Sequence, residues 1–148
     1  SIGGPRGYAP PIDTVPRIVL MVTRLERDCA ARMPAARLCR ADITLARQPA
    51  LAGIKHLNRL EQVMASAQAS ASGFDEALLC DDAGTVISVA AGNLFAVFET
   101  EILTPILHNA GVAGTRRHLV IEHWAPQLGL KVREADLSVE NLAAAQEV

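Results

Sequence analysis

The sequence predicts an α+β fold, and three observations carry that expectation. Apolar residues recur three and four apart at Leu57, Leu60, Met64, Ala67 and Ala71, the spacing of one helical stripe. Short β-branched or leucine-rich runs then follow between Glu76 and Thr104, separated by turn residues. Two further helical patterns close the chain, around Val120 and around Leu142. Half of the 148 residues are apolar, enough to bury a domain core.

Residues 1–15 read as loop, because Gly3-Gly4-Pro5-Arg6-Gly7-Tyr8 is a dense turn signal with no element before it. Ile18–Val22 reads as a short apolar strand. Leu25–Leu38 reads as a linker with a broken helical turn, interrupted by Pro34. Asp42–Ala46 is a strand candidate, and Arg47–Ala52 leads into the helix junction. The small polar stretch Ala69–Gly73 ends that helix. Glu76–Cys80, Val86–Ala90, Leu94–Phe98 and Ile102–Thr104 form a meander with antiparallel neighbours. Asp81-Asp82-Ala83-Gly84 makes its first turn. A helix is expected from Thr115 to Leu128, with Val120, Ile121, Trp124 and Leu128 inward and Gly129 as the stop. Val132 opens another strand. Leu137–Ala145 is a last helix, with Ser138 as N-cap and Asn141 where a capping box places Glu or Gln.

Composition excludes several classes of function. A net charge of -2 with mixed signs lacks the basic patch that phosphate backbones require. An aromatic content of 3% leaves no stacking platform for single-stranded nucleic acid. No apolar run approaches the roughly 20 residues of a membrane span, and the first residues do not read as a signal peptide. Cys29, Cys39 and Cys80 are odd in number and lack CxxC spacing, which suits idle thiols in a reducing cytoplasm.

Lys55 is the centre of the chemical reading. Of the two lysines, Lys131 is explained by the solvated edge of a strand, whereas Lys55 follows Gly53-Ile54 at the entry to a helix. A lysine fixed there can project from the strand side into a cleft, and its neutral amine is the nucleophile that forms Schiff bases. The second stretch is Gly111–Arg117, GVAGTRR. Glycines and a Thr opening a helix offer free N–H groups, a hydroxyl and the positive dipole end to an anion, and Arg116 and Arg117 add charge. The glycines alone are more simply explained by turn geometry. A Schiff-base lysine together with a phosphate cup is more specific, because pyridoxal phosphate carries one aldehyde and one phosphate.

The remaining candidates have plainer explanations. His56 is assigned to packing and His108 to a solvated loop. His118 and His123, five apart, are not expected to share a helix face or to form a metal pair. Asp81 and Asp82 are turn residues; Ser66, Ser70 and Ser72 mark an exposed helix end. Glu99–Glu101 is a solvated hairpin tip, and Trp124 is core.

Four motifs together carry a resemblance. LAGIKHLNRLEQV resembles the cofactor-lysine motif of the fold-type IV pyridoxal phosphate-dependent family, and within it that of the aminodeoxychorismate lyases. DEALLCDDAGTVISVAAGNLF resembles the following hairpin, EILTPILHNAGVAGTRR the phosphate-binding turn, and LSVENLAAAQEV the closing segment; GGPRGY is similar to the family's RGY loop. The likeness runs from about Gly3 to Val148. It implies a D-amino-acid aminotransferase-like fold, here the large-domain portion, with a mostly antiparallel barrel-like sheet and outer helices. Residues 1–24 would be the end of the small domain and the interdomain loop. Residues 25–148 would be the large cofactor-binding domain, incomplete at its C-terminus, in a chain that also lacks the N-terminal domain. Homodimers are the family's assembly.

Carried over, Lys55 would bind pyridoxal 5'-phosphate covalently and then shuttle protons. Val112 would pack on the ring, while Gly114, Thr115 and Arg116 would hold the phosphate. Arg6 and Tyr8 match loop residues near the substrate carboxylates, and Asn93 an Asn that shapes the hairpin end. The implied reaction converts 4-amino-4-deoxychorismate to 4-aminobenzoate and pyruvate, a step of folate biosynthesis. Ser88 departs from the pattern, standing where the family has a Glu on the pyridine nitrogen. The alternatives are a D-amino-acid or branched-chain aminotransferase, or a non-catalytic truncated homologue.

Overall fold

A computed structural model describes residues 8, 12–13, 15–24, 33–99 and 101–148. The chain divides into two compact units, Ser1–Pro34 and Ala35–Val148. The described residues of the first unit carry no regular element. Ile18–Val22, expected as a strand, is irregular, and its side chains are 72–88% exposed. An apolar strand needs a paired edge and a covered face, and among the described residues it has neither. The linker expected at Leu25–Leu38 lies partly outside the described residues; 33–37 is irregular and Leu38 already belongs to a strand.

In the second unit, β1 (Leu38–Arg40), β2 (Glu76–Cys80) and β3 (Val86–Val89) form one sheet in that order, with β1 parallel and β3 antiparallel to β2. β4 (Ala96–Val97), β5 (Ile102–Pro105) and β6 (Val132–Ala135) form the other, with β4 antiparallel and β6 parallel to β5. Two of the four pairings are therefore parallel, and the described strands make two sheets of three rather than one mostly antiparallel barrel-like sheet. Each parallel pairing joins strands that are distant in sequence, bridged by a helix, which a meander pattern does not reveal.

β2 is buried on both faces and alternates between two cores. Ala77 and Leu79 pack with Ala41, Leu45, Ala65, Ala69, Ile87 and Ala110, while Leu78 and Cys80 pack with Val86, Leu94, Ala96 and Leu137. Burial pushes the Cys80 thiol up, which keeps it protonated and inert. The strand expected at Asp42–Ala46 is absent: only Leu45 bridges, to Asp81. Its backbone is satisfied otherwise, since Asp42 N–H donates to Gln68 Oε1 and Ala46 N–H to Glu61 Oε1.

Those acceptors lie on α1 (Leu60–Ala71), which buries Ala65 and Ala69. The expected stripe is wrong in phase, for Leu57, Leu60 and Met64 are 95, 71 and 51% exposed. Two alanines one turn apart let the helix backbone approach the sheet more closely than leucines allow, so the small residues face inward.

The helix at Thr115 is interrupted. α2 (Thr115–Leu119) passes into a π turn at Val120–Trp124 and then α3 (Ala125–Gln127). The extra residue shifts the phase, so Ala125 is buried while Trp124 and Leu128 are 49 and 73% exposed; Trp124 is not core. The same turn brings residues five apart onto one face. The rings of His118 and His123 stand edge to face with centroids 6.4 Å apart, contrary to the expectation from α spacing. Gly129 ends the helix at φ 69°, and α4 (Val139–Ala144) has the full capping box: Asn141 N–H donates to Ser138 Oγ and Ser138 N–H to Asn141 Oδ1.

Candidate functional site

The Lys55 junction and the glycine turn are joined by backbone. Gly53 N–H donates to Gly111 O at 3.1 Å, and Ala113 N–H donates to Gly53 O at 3.0 Å. This short parallel bridge places Lys55, two residues on, beside the start of α2.

The turn itself is shaped by contacts that only glycine permits. Gly111 has φ 90°, and a Cβ there would stand 2.8 Å from both Ile87 Cγ2 and Leu107 Cδ2. A Cβ on Gly114 would overlap Asn93 Oδ1. Asn93 in turn donates from Nδ2 to Val112 O at 2.9 Å, holding the turn against the end of β3. Gly114 is the N-cap of α2, so the N–H groups of Thr115 and Arg116 have no intrahelical acceptor.

Arg117 anchors the helix from below. It is buried; its Nη2 donates to Pro105 O at 2.9 Å and pairs with Glu134, tying α2 to β5 and β6, while its Nε has no partner among the described residues. Arg116, one residue earlier, is exposed. In the sequence the two arginines read alike, as added charge. Which one is buried depends on helix phase, which GTRR does not display.

These elements enclose a cleft of about 630 Å³. Lys55, Ser88, Val112, Gly114, Thr115 and Arg116 all line it. Ser88 is 8% exposed, and Val112 is half-buried. Arg6 lies outside the described residues, and Tyr8, in the first unit, is fully exposed. The cleft also takes Arg59, Gln62 and Phe95, which the sequence did not single out. Gln62 Oε1 is buried without a partner among the described residues. A second cavity of about 680 Å³ shares Arg59, Gln62 and Gly111 with the cleft but has neither the lysine nor the α2 terminus. No group of three His, Cys, Asp or Glu among the described residues could hold a metal. No helix among them is long and apolar enough to cross a membrane.

The arrangement puts an amine and an anion cup in one cleft. It can hold a small molecule that offers an electrophilic carbon at one end and an anion at the other.

Comparison with known proteins gives three kinds of relative. Residues 2–148 match the family model for class IV amino-transferases. The aminodeoxychorismate lyase of Vibrio harveyi is 40% identical over 101 residues, covering 68% of this chain and 37% of that protein. The crystal structure of 4-amino-4-deoxychorismate lyase from Pseudomonas aeruginosa superposes with TM-score 0.68 at 38% identity, over 74% of this chain and 41% of that one. The branched-chain amino acid aminotransferase of Thermobaculum terrenum in its PLP form superposes with TM-score 0.68 at 26% identity, over 82% and 38%. The chain thus spans about two fifths of the length of these relatives.

Proposed function

The chain belongs to the class IV amino-transferase family, and from that premise we propose that it forms the cofactor-binding part of a pyridoxal 5'-phosphate-dependent lyase. The reaction proposed is conversion of 4-amino-4-deoxychorismate to 4-aminobenzoate and pyruvate, in folate biosynthesis. One observation carries the proposal: Lys55 and the Gly114–Arg116 turn line the same cleft, locked together by the Gly53 bridge. The 40% identity to a lyase supports this branch of the family over the aminotransferases.

The donor set fits the cofactor. Lys55 supplies the amine. The N–H groups of Gly114, Thr115 and Arg116, with the Thr115 hydroxyl, suit the phosphate, and Val112 and Phe95 offer apolar surface to the ring. When bound, pyridoxal phosphate supplies an aldehyde for covalent capture of an amine and a ring that makes the neighbouring C–H acidic. Lys55 Nζ anchors the group, then takes up and returns the substrate proton. The first-turn amides are fixed before any ligand arrives, so orienting the anion costs no rearrangement. The assignment of Arg6 and Tyr8 to the substrate carboxylates rests on the sequence resemblance, as do the domain limits of 1–24 and 25–148 and the homodimer; the cytoplasmic location rests on the odd number and spacing of the cysteines.

Ser88 also favours the lyase. Buried in the cleft, its hydroxyl can bond a ring nitrogen but holds a positive charge there less well than a carboxylate. Elimination that ends in an aromatic ring needs less electron withdrawal than amino-group transfer does. Ser88→Glu should therefore raise aminotransferase turnover relative to lyase turnover; unchanged turnover in both assays overturns this account.

The main test is incubation with pyridoxal phosphate, borohydride reduction and peptide mapping. A single reduced adduct on Lys55, lost in Lys55→Met, is expected. An adduct spread over Lys131 and the amino terminus, or none, overturns the proposal.

A further inference from the structure

Arg59 occupies a position that its side chain does not suit. It is the N-cap of α1, where Ser, Thr, Asp or Asn is favoured because a short side-chain oxygen can accept from the first helical N–H groups. Arginine has no acceptor, and no side-chain cap bond is made. The guanidinium runs backward along the chain instead. Its Nε donates to His56 O at 3.0 Å, and its Nη2 donates to Ile54 O at 3.3 Å. Those two carbonyls stand on either side of Lys55.

The segment needs such a tie. Residues 54–59 hold no regular element, and Lys55 itself is exposed on the cleft wall. Ahead of it the chain is fixed by the Gly53 bridge and by Ile54 N–H donating to Leu51 O at 3.1 Å. Behind it, the first backbone bond is Val63 N–H to Arg59 O at 3.0 Å, already helical. Between these points the two bonds from Arg59 fill the gap. A planar guanidinium with five N–H groups in a fixed fork can serve two separated carbonyls at once, which an ammonium group on a flexible stem does poorly.

We infer that Arg59 is a positioning residue for Lys55: its fork over the carbonyls of Ile54 and His56 fixes the backbone on both sides of the lysine and keeps that side chain at the cleft. Arg59 adds no chemical step. Its link to catalysis rests on the proposed role of Lys55; the clamp itself does not.

The test compares the unaltered chain with Arg59→Met and Arg59→Lys, all free of cofactor, by amide hydrogen exchange. The probes are Gly53 and Ile54, which donate to Gly111 and Leu51. The reference is Ala90, which donates to Ala77 O at 3.0 Å in the β2–β3 region. Both variants should exchange faster at Gly53 and Ile54, roughly tenfold for the loss of two bonds of ordinary net strength, with Ala90 unchanged. The share of borohydride-trapped pyridoxal phosphate on Lys55 relative to Lys131 should fall alongside. Unchanged exchange in Arg59→Met overturns the inference. So does full retention in Arg59→Lys, since charge alone would then suffice, or a rise that Ala90 shares, since the loss is then global. If the unaltered chain traps no cofactor on Lys55 while the variants still loosen Gly53 and Ile54, the clamp stands and the proposed function falls.

Discussion

The turn at 111–117 and the segment at 54–59 both contribute to the wall of one cleft, yet they are built differently. The turn is held from four directions: by Ile87 and Leu107 against Gly111, by Asn93 beneath Gly114, by the Gly53 bridge, and by buried Arg117 on β5 and β6. The lysine segment has the bridge at one end, a helix at the other and one arginine between. Its flank is an exposed apolar surface of Leu57, Leu60 and Val63. An anion held by backbone amides is bound only as well as those amides are fixed. On the proposed role, a lysine that both anchors a group and carries a proton needs freedom along its side chain, and a wall fixed at the backbone but open beyond it suits that role.

The contrast can be broken first at Arg117. Arg117→Met removes both anchors of α2 and leaves Pro105 O without its donor in the interior, for a loss of about 3 kcal/mol in urea unfolding. Added inorganic phosphate should raise the urea midpoint of the unaltered chain and leave that of the variant unmoved. A smaller change sharpens the same point: Gly111→Ala forces a Cβ into Ile87 and Leu107 at a positive φ. It should cost about 2 kcal/mol, again measured by urea midpoint, and should weaken pyridoxal phosphate binding without abolishing the Lys55 adduct.

The least effect is expected at the base on which the turn rests. Glu101 accepts from Arg133 Nε and Nη2, each at 3.0 Å, beside the Glu134 that holds Arg117. Those bonds keep the Glu101 carboxyl below its ordinary 4.5. The folded protein therefore gives up that proton more readily than the unfolded chain. The stabilisation is complete above pH 4.5 and is lost as pH falls through the lower folded value. Urea midpoints of the unaltered chain and Glu101→Gln should differ slightly at neutral pH and converge in acid. A gap that widens in acid would contradict the assignment. Because the pair is exposed, salt should narrow it as well.

Features that depend on one local rule were legible in the sequence. β2 announces itself as a short leucine-rich run before a turn, Ser138 and Asn141 form their own cap, and Gly129 ends its helix. Features that depend on which of two faces turns inward were not. Leucines at helical spacing outweighed Ala65 and Ala69 in the pattern, although the alanines make the close contact. Trp124 and Ala125 exchanged places because the π turn adds a residue without changing the composition. Six residues expected at the site, 55, 88, 112 and 114–116, line one cleft; Lys55 and the glycine turn were readable from residue chemistry, Ser88 and Val112 only through the resemblance. Asn93, expected to shape the hairpin end, also holds the turn through Val112. Arg59 was not visible, because its partners lie behind it on the chain and a cap position gives no reason to look there.

The π turn at Val120–Trp124 also affects how this stretch of chain tolerates insertions and deletions. In most helices, losing a residue rotates everything downstream by about 100° and throws the inward face out to water. Here the helix already carries a surplus residue, so deleting one residue within 120–124 would make its hydrogen-bond ladder regular and leave Ala125 in its seat. The surplus residue acts as a phase adjuster between two fixed fittings. The first turn is set by the cleft, the exit is set by the sheet, and neither has to give way to the other.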